Sequence, residues 1–287
     1  MANQTTTAPA KTFSLGGDLT VNRMGYGAMR ITGEGIWGPP QDHAESIRVL
    51  QRAVELGINF IDTADSYGPN VSEELIAEAL HPYAPGLVIG TKGGLLRTGP
   101  NQWPIDASPK HLTEALEGSL QRLKLDKIDL YQLHRVDPNV PFEQTLEFLQ
   151  KAQEDGLIKH IGLSEVTVEQ IQQAQRYVKV VSVQNMYSVD NRKWEAELDF
   201  CEQNGLAFIP WYPLAGGNEQ ALSKLTQIGQ QHGVSTQQVA LSWLLHRSPN
   251  ILLIPGTSKV KHLEENVKAA EIQLSAEDLA ALENLGS

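Results

Sequence analysis

The feature of this 287-residue sequence that most restricts its fold is a regular alternation of short apolar runs with longer amphipathic stretches. Apolar residues in the longer stretches recur at helical spacing, as at Ile47, Leu50 and Val54. Eight strand and helix units within about 260 residues favour a closed parallel barrel over an open sheet. We therefore predict an α/β fold, a (β/α)8 TIM barrel, with strands at residues 24–28, 60–62, 87–91, 128–133, 160–163, 181–184, 206–211 and 250–254.

The two ends of the chain add to this barrel. Two short alternating runs flank Gly16 and Gly17, which is typical of a β-hairpin. Residues 259–270 and 275–285 are predicted to form extra C-terminal helices. The first residues lack the apolar core of a signal peptide. We therefore expect a disordered tail over residues 1–11 and a single domain over residues 12–287.

A doubly wound nucleotide-binding fold is not indicated. Such a fold carries Gly-x-Gly-x-x-Gly directly after its first strand and an acidic residue about 20 positions later. Here Gly25 and Gly27 stand without the third glycine. Close packing of the backbone explains this pair as well as nucleotide binding does.

Composition limits the partners and the compartment. The formal net charge of −11 repels nucleic acid and anionic membranes, so an anionic cofactor would need a local basic pocket. Cys201 is the single cysteine, which suits a reducing cytoplasm. No apolar run approaches the length of a membrane span. The eight histidines include no zinc-binding pair, and no metal is expected. We expect a cytoplasmic monomer or small homo-oligomer.

Polar residues at three successive strand ends are the candidate catalytic groups. Asp62 ends one predicted strand, Tyr67 follows in the loop, and Lys92 and His134 come at the ends of the next two strands. Since the carboxyl ends of barrel strands share one face, these side chains should meet there. Lys92, held by Asp62, would draw the pKa of the Tyr67 phenol toward neutrality. Each residue alone is more often structural or exposed; their common location favours chemistry.

Several segments, in order across nearly the whole chain, resemble the aldo-keto reductases. They are Asp62-Thr63-Ala64 with Tyr67-Gly68, Thr91-Lys92, Leu133-His134, Ile161-Gly162-Leu163-Ser164, Val183-Gln184, Pro213-Leu214 and Ile254-Pro255-Gly256-Thr257 with Glu265-Asn266. Gly38-Pro39-Pro40 and residues 247–257 are similar to bacterial members that are associated with pyridoxal and other small aldehydes. The resemblance implies that the hairpin closes the bottom of the barrel.

The resemblance also implies a nicotinamide cofactor, NADPH rather than NADH. Ser164 and Gln184 would hold the carboxamide, and Trp211 stands where the family usually has a tyrosine that stacks on the ring. Glu165 replaces the usual asparagine. As an ionised carboxylate it can only accept hydrogen bonds, which leaves its role open. Turn-capping roles for Ser164 and Gln184, and core packing of Trp211, are the alternatives.

The turn before the last barrel helix is the candidate phosphate site, since backbone N–H groups at a helix start bind anions. Gly256 and His262 replace the lysine and arginine that are common in the family, and Lys259 is expected to compensate. A plain surface turn is the alternative. The full set of further expected cofactor contacts is Tyr212, Pro213, Leu214, Gly216, Gly256, Thr257, Ser258, Lys259, His262, Glu265 and Asn266.

The predicted function is reduction of an aldehyde or ketone to an alcohol, with Tyr67 as the general acid and His134 orienting the carbonyl. Trp37, Trp103 and Tyr187 are expected to line a pocket for flat aldehydes such as pyridoxal. Two other functions stay open. One is a cofactor-binding regulatory subunit with little turnover, and the other is a cofactor-free isomerase or lyase that uses Lys92 as a Schiff base.

Overall fold

In the computed structural model, which describes residues 9–213 and 218–285, seven parallel strands form one sheet in chain order. A separate antiparallel hairpin precedes it, made of β1 (Thr12–Leu15) and β2 (Leu19–Asn22). The parallel strands are β3 (Tyr26–Gly27), β4 (Phe60–Asp62), β5 (Val88–Gly93), β6 (Ile128–Leu133), β7 (Ile158–Ser164), β8 (Val180–Gln184) and β9 (Ala207–Phe208).

An eighth parallel segment, residues 250–254, closes the sheet into a barrel. Ile251 pairs with Phe208 on one side, and Leu253 pairs with Met24 on the other. The closure is tight: a Cβ atom at Gly25 would lie 2.9 Å from the Leu253 carbonyl oxygen. The predicted barrel is confirmed, and Gly25 serves close packing at this seam.

Two barrel strands, β3 and β9, are shorter than predicted. β9 covers two residues, whereas we expected residues 206–211, because Pro210 has no N–H to continue the ladder. The backbone nevertheless stays beside β8, since the Ile209 N–H donates to the Val183 carbonyl at 2.8 Å. The chain therefore reaches the rim of the barrel where the prediction placed it.

Helices return the chain between strands and cover the outside of the barrel. Ser108 caps the third helix ahead of Pro109, and the predicted capping box of Thr167 and Gln170 opens the fifth. The helices are α1 (His43–Glu55), α2 (Val71–Leu80), α3 (Pro109–Leu123), α4 (Phe142–Glu154), α5 (Val168–Ala174), α6 (Glu195–Asn204), α7 (Glu219–His232), α8 (Thr236–Arg247), α9 (Val260–Lys268) and α10 (Ala276–Glu283). In the described ranges, none of them has the length and apolarity to cross a membrane.

The interior of the barrel is apolar at one end and polar at the other. Leu15 and Val21 of the hairpin are completely buried in one cluster with inward residues of the strands, including Phe60 and Leu130. The hairpin therefore closes the bottom, as predicted. Polar side chains occupy the opposite, carboxyl end of the same strands, so the fold directs them all to one face.

Arg23 fastens the seam where the barrel closes. Its guanidinium is 1% exposed and donates hydrogen bonds to the backbone carbonyls of Ala10, Leu245, Ser248 and Ile251. These carbonyls belong to the segment before β1, the end of α8 and the eighth strand. A single cation thus satisfies four acceptors from separate parts of the chain.

Replacing Arg23 by methionine should lower the free energy of unfolding by about 3 kcal/mol or more, because buried carbonyls lose their donor. Urea unfolding would measure the change. Arg48→Met provides a matched control, since Arg48 pairs only with Glu45 on the surface, and we expect a change of about 0.5 kcal/mol. Equal losses in the two variants would contradict the role given to Arg23.

Candidate active site

Asp62, Tyr67 and Lys92 meet at the carboxyl end of the barrel. The Lys92 Nζ atom lies 2.6 Å from Asp62 Oδ2, 2.8 Å from the Thr63 carbonyl oxygen and 3.3 Å from the Tyr67 hydroxyl. Asp62 ends β4, and Lys92 lies in the adjacent β5. The ammonium is 0% exposed, so all three of its donors are used inside the protein.

Two glutamine side chains hold the other oxygen of Asp62. Gln132 Nε2 donates to Asp62 Oδ1 at 2.8 Å, and Gln184 Nε2 donates to the same atom at 3.0 Å. We did not predict Gln132, although its position two residues before His134 puts both on the same face of the chain. A polar residue at an inward position of an apolar strand was the signal available in the sequence.

The pKa of Tyr67 differs from the expectation. Burial raises the pKa of the phenol, and the lowering by Lys92 does not offset this. The predicted shift toward neutrality is therefore wrong for the protein without cofactor, because a phenolate is costly where water is excluded. Burial lowers the pKa of Lys92, but Asp62 and Tyr67 outweigh it and the pKa is raised. The pair is thus a neutral phenol beside an ammonium.

His134 completes the group as a neutral imidazole. Burial, Lys92 and Arg135 together hold its pKa well below the usual value. The ring meets Tyr67 edge-on, with centroids 5.9 Å apart, and its Nδ1 lies 3.5 Å from the Ser66 hydroxyl. A hydroxyl that donates to Nδ1 leaves the proton on Nε2, which is then a donor.

Arg97, which we did not predict, packs against two indoles beside Tyr67, where the substrate opening was predicted. Its guanidinium lies 3.6 Å from the centroid of Trp103 and 5.6 Å from that of Trp37. Trp103 contacts Tyr67 edge-on at 6.4 Å between centroids. Five N–H groups of Arg97 donate to carbonyl oxygens of Gly35, Ile36, Ser66, Gly99 and Gln102. One side chain therefore ties three loops and two indoles together.

Tyr187 does not line this opening, which corrects the prediction. It is 0% exposed, stacks on Trp243 with centroids 6.2 Å apart, and donates to Glu195 at 2.6 Å. An aromatic residue just beyond a strand can pack inward or outward, and here the core between β8 and α8 receives it. Of the three expected aromatic residues, Trp103 contacts Tyr67, and Trp37 and Trp103 both lie against Arg97.

Ser164 and Gln184 each keep one hydrogen-bonding function free of described partners. Ser164 Oγ accepts a hydrogen bond from Arg135 Nη1 at 3.1 Å, so its O–H remains a donor. Gln184 Nε2 donates hydrogen bonds to Asp62 and to Gln132, and Gln184 Oε1 remains an acceptor. One donor and one acceptor match the carbonyl and N–H of a carboxamide.

Glu165 and Trp211, two of the departures from the family pattern, are in direct contact. The Trp211 indole N–H donates to Glu165 Oε1 at 2.7 Å, and the Met186 backbone N–H donates to the same oxygen at 2.7 Å. Glu165 is a predicted cofactor-binding residue whose role the sequence left open. Its Oε1 atom fixes the edge of the indole.

The turn before α9 offers fewer free N–H groups than expected. The Lys259 N–H donates to the Thr257 hydroxyl at 3.1 Å, and the Val260 N–H donates to Glu45 at 3.2 Å. Glu45 lies on α1, so this contact has no local signature in the sequence. Lys259 and His262 are exposed. An anion at this turn would therefore depend on these side chains more than on the helix start.

The remaining predicted cofactor residues are placed as follows. Tyr212 is 53% exposed, Pro213 is buried, and Leu214 and Gly216 lie outside the described residues. Gly256 is exposed, Ser258 is half-buried, and Glu265 and Asn266 lie half-buried on α9. Across residues 9–213 and 218–285, no group of three or more histidine, cysteine, aspartate or glutamate side chains is arranged to hold a metal.

Comparison with known proteins decides the family. The model of the Aldo/keto reductase family matches residues 23–287. The chain belongs to the aldo/keto reductase family. It is therefore an oxidoreductase of that family, and the barrel and the hairpin described above are those of its structural relatives.

Two curated relatives of this aldo/keto reductase cover most of its length. An uncharacterised oxidoreductase of Schizosaccharomyces pombe is 56% identical over 274 residues, which cover 94% of this chain and 88% of the relative. A pyridoxine 4-dehydrogenase of Escherichia coli is 43% identical over 282 residues, 96% and 98% of the two chains. A solved aldo/keto reductase of Klebsiella pneumoniae, in complex with NADP and acetate, superposes with a TM-score of 0.81 at 27% identity and covers 96% and 95%.

Beside the site of this aldo/keto reductase lies a buried carboxyl, Asp65, which we did not predict. It is 7% exposed, and its Oδ1 has no hydrogen-bond partner among the described residues. Burial and the neighbouring Glu73 raise its pKa to about 8, although Arg122 and Lys92 oppose this. At neutral pH the folded protein therefore holds a proton on this side chain.

Replacing Asp65 by asparagine should make stability less dependent on pH. The unfolded chain releases the Asp65 proton above pH about 4 and the folded protein only above about 8, so folding loses stability as the pH rises between them. We expect the stability of the variant relative to wild type to improve from pH 5 to pH 8.5 by about 2 kcal/mol. Thermal unfolding at both pH values tests this.

The exposed Asp155, at the end of α4, provides the control for that experiment. Asp155→Asn should show no pH-dependent gain, since its carboxylate pairs with Lys151 in water. A constant difference between Asp65→Asn and wild type at the two pH values would contradict the protonation of Asp65.

Proposed function

We propose that this protein reduces aldehydes and ketones to alcohols with NADPH, and that Tyr67 is the general acid. The observation that carries the proposal is the position of Lys92 Nζ, within 3.3 Å of both the Asp62 carboxylate and the Tyr67 hydroxyl. A buried ammonium stabilises negative charge on the phenol oxygen as the proton leaves. A phenol that is protonated at rest is the form that an acid requires.

Each of the neighbouring side chains has a distinct role in this proposal. Asp62 keeps Lys92 charged and in place, while Gln132 and Gln184 orient Asp62. His134, neutral because of its low pKa, donates from Nε2 to the carbonyl oxygen of the substrate. The complete set of acid, cation and donor favours turnover over a purely regulatory role.

The cofactor proposal is supported by the free functions of Ser164 and Gln184 and by the flat face of Trp211. When bound, NADPH supplies the hydride that adds to the carbonyl carbon. Ser164 can donate to the carboxamide oxygen and Gln184 can accept from its N–H. Trp211, half-buried and held at its N–H edge, can stack on the ring. The structural relatives in complex with NADP and with NADPH support this choice over NADH.

Phosphate recognition in this proposal rests on side chains. Lys259 and His262 would contact the 2′-phosphate of NADPH, with Thr257 and Ser258 in the same turn. Glu265 and Asn266 would lie near the adenine. Because the Val260 N–H already donates to Glu45, the Lys259 side chain would supply the positive charge that favours NADPH over NADH.

The substrate class that we propose is small aromatic aldehydes, including pyridoxal-like compounds. Trp37 and Trp103 border the opening above Tyr67 and offer flat apolar surfaces. The relative named pyridoxine 4-dehydrogenase supports the same class. We further propose one domain over residues 12–287, working in the cytoplasm as a monomer or small homo-oligomer, which the buried single cysteine, Cys201, suits.

A screen of aldehydes tests the function directly. Pyridoxal and a series of benzaldehydes would be offered with NADPH and with NADH in parallel, and nucleotide oxidation followed by absorbance. We expect turnover with NADPH to exceed that with NADH for at least one aromatic aldehyde. Absence of turnover with every aldehyde and either nucleotide would contradict the proposal.

Tyr67→Phe should lower kcat by about a thousandfold, because the alkoxide loses its proton donor. The dissociation constant of NADPH should stay within about twofold, since Ser164, Gln184 and Trp211 would hold the nicotinamide in this proposal. Steady-state kinetics and calorimetric titration measure the two. Tyr177→Phe, outside the site, is the control and should keep wild-type kcat. A residual kcat within a few-fold of wild type would exclude Tyr67 as the acid.

Arg97→Lys should raise the KM for an aromatic aldehyde and lower kcat/KM by roughly tenfold. A lysine retains the charge but cannot span five carbonyls and two indoles, so the pocket wall loosens. NADPH binding should not change. Arg176→Lys, at an exposed position, is the matched control. An unchanged KM in Arg97→Lys would show that the indoles keep their positions without this side chain.

A further inference from the structure

Glu165 and Trp211 form one unit at the proposed nicotinamide site. Glu165 directly follows β7 with a left-handed backbone, φ 54°, and its Oε1 accepts from both the Met186 N–H and the indole N–H. The Trp211 backbone N–H also donates to the Asn185 carbonyl at 3.2 Å. The indole is therefore fixed at its backbone and at its far edge, which leaves its flat face in one orientation.

Arg135 lies near the Trp211 indole but does not pair directly with Glu165. The Arg135 guanidinium lies 5.7 Å from the Trp211 ring centroid and donates to Ser164 Oγ and the His134 carbonyl. No ion pair within 4 Å joins Arg135 to Glu165 in the described part of the chain. The Glu165 carboxylate thus lies at the edge of the indole on which the nicotinamide would stack, where Arg135 interacts with it electrostatically without direct pairing.

We propose that Glu165 is a positioning residue that holds Trp211 in place and that its charge favours the oxidised nucleotide. This inference rests on the proposed function. The nicotinamide ring carries a positive charge when oxidised and none when reduced, so a carboxylate bonded to the edge of the stacking indole would stabilise NADP⁺ selectively. The departures at Glu165 and Trp211 then belong together, because the carboxylate accepts the hydrogen bond that the indole N–H donates.

Glu165→Gln separates charge from hydrogen bonding, since the amide oxygen can still accept from the indole and from Met186. Calorimetric titration gives the dissociation constants of NADP⁺ and NADPH. We expect the ratio of the first to the second to rise roughly fivefold in the variant, through weaker NADP⁺ binding. A ratio within about twofold of wild type would overturn the inference about charge. Wild-type protein that binds neither nucleotide would instead overturn the proposed function.

Glu165→Ala tests the holding role, because it removes the acceptor as well as the charge. We expect it to weaken NADPH roughly fivefold, whereas Glu165→Gln leaves NADPH nearly unchanged. Equal NADPH affinity in the two variants would overturn the role in holding Trp211. Thermal unfolding checks that both variants fold.

Glu197→Gln is the matched control for these titrations. Glu197 is also buried, 7% exposed, and its Oε1 accepts the backbone N–H of Val168 at 3.1 Å, but it lies on α6. Its substitution should leave the ratio of dissociation constants at the wild-type value. A rise equal to that of Glu165→Gln would show that the effect is one of overall charge and would overturn the inference.

Discussion

The structure depends most on one ammonium group that is buried at the polar end of the barrel. Removing a lysine charge from water costs several kcal/mol, so Lys92 persists there only with well-placed partners. Asp62 supplies the counter-charge, and the Thr63 carbonyl and the Tyr67 hydroxyl use the remaining donors. These partners come from β4 and the loop after it, next to β5. The Tyr67 phenol is thus one of the groups that make the buried charge tolerable.

Sequence predicted the parts of this arrangement that follow from strand order. Parallel strands that end in Asp62, Lys92 and His134 must bring those residues to one face, whatever the details of packing. The direction of the Tyr67 pKa shift could not be predicted from the sequence, because it depends on how completely the fold excludes water from the phenol. Arg97 was missed since its partners are carbonyls of loops, which have no residue-type signature. The contact between Glu45 and the start of α9 was missed because the two residues lie 215 positions apart in the sequence.

The errors at Tyr187 and at strand β9 have a common physical origin. A residue just past a strand can turn to either side of the sheet, and only the packing around Trp243 decides that Tyr187 turns away from the opening. Likewise, the length of β9 follows from the missing N–H of Pro210, while its neighbours still bond to β8. Local pattern sets which element forms, and contacts distant in sequence set where its ends and side chains go.

The amide of Gln184 has a fixed polarity with a stereochemical consequence. Because its nitrogen is committed to Asp62, its oxygen is the atom that can meet a guest amide, and the Ser164 hydroxyl offers the complementary donor. A carboxamide held between them would have one favoured orientation, since turning it over would set its carbonyl oxygen against Gln184 Oε1. The pyridine ring attached to it would then present a single prochiral face to the substrate. Which of the two hydrogens at the reacting ring carbon is transferred would thereby depend on the orientation of one glutamine.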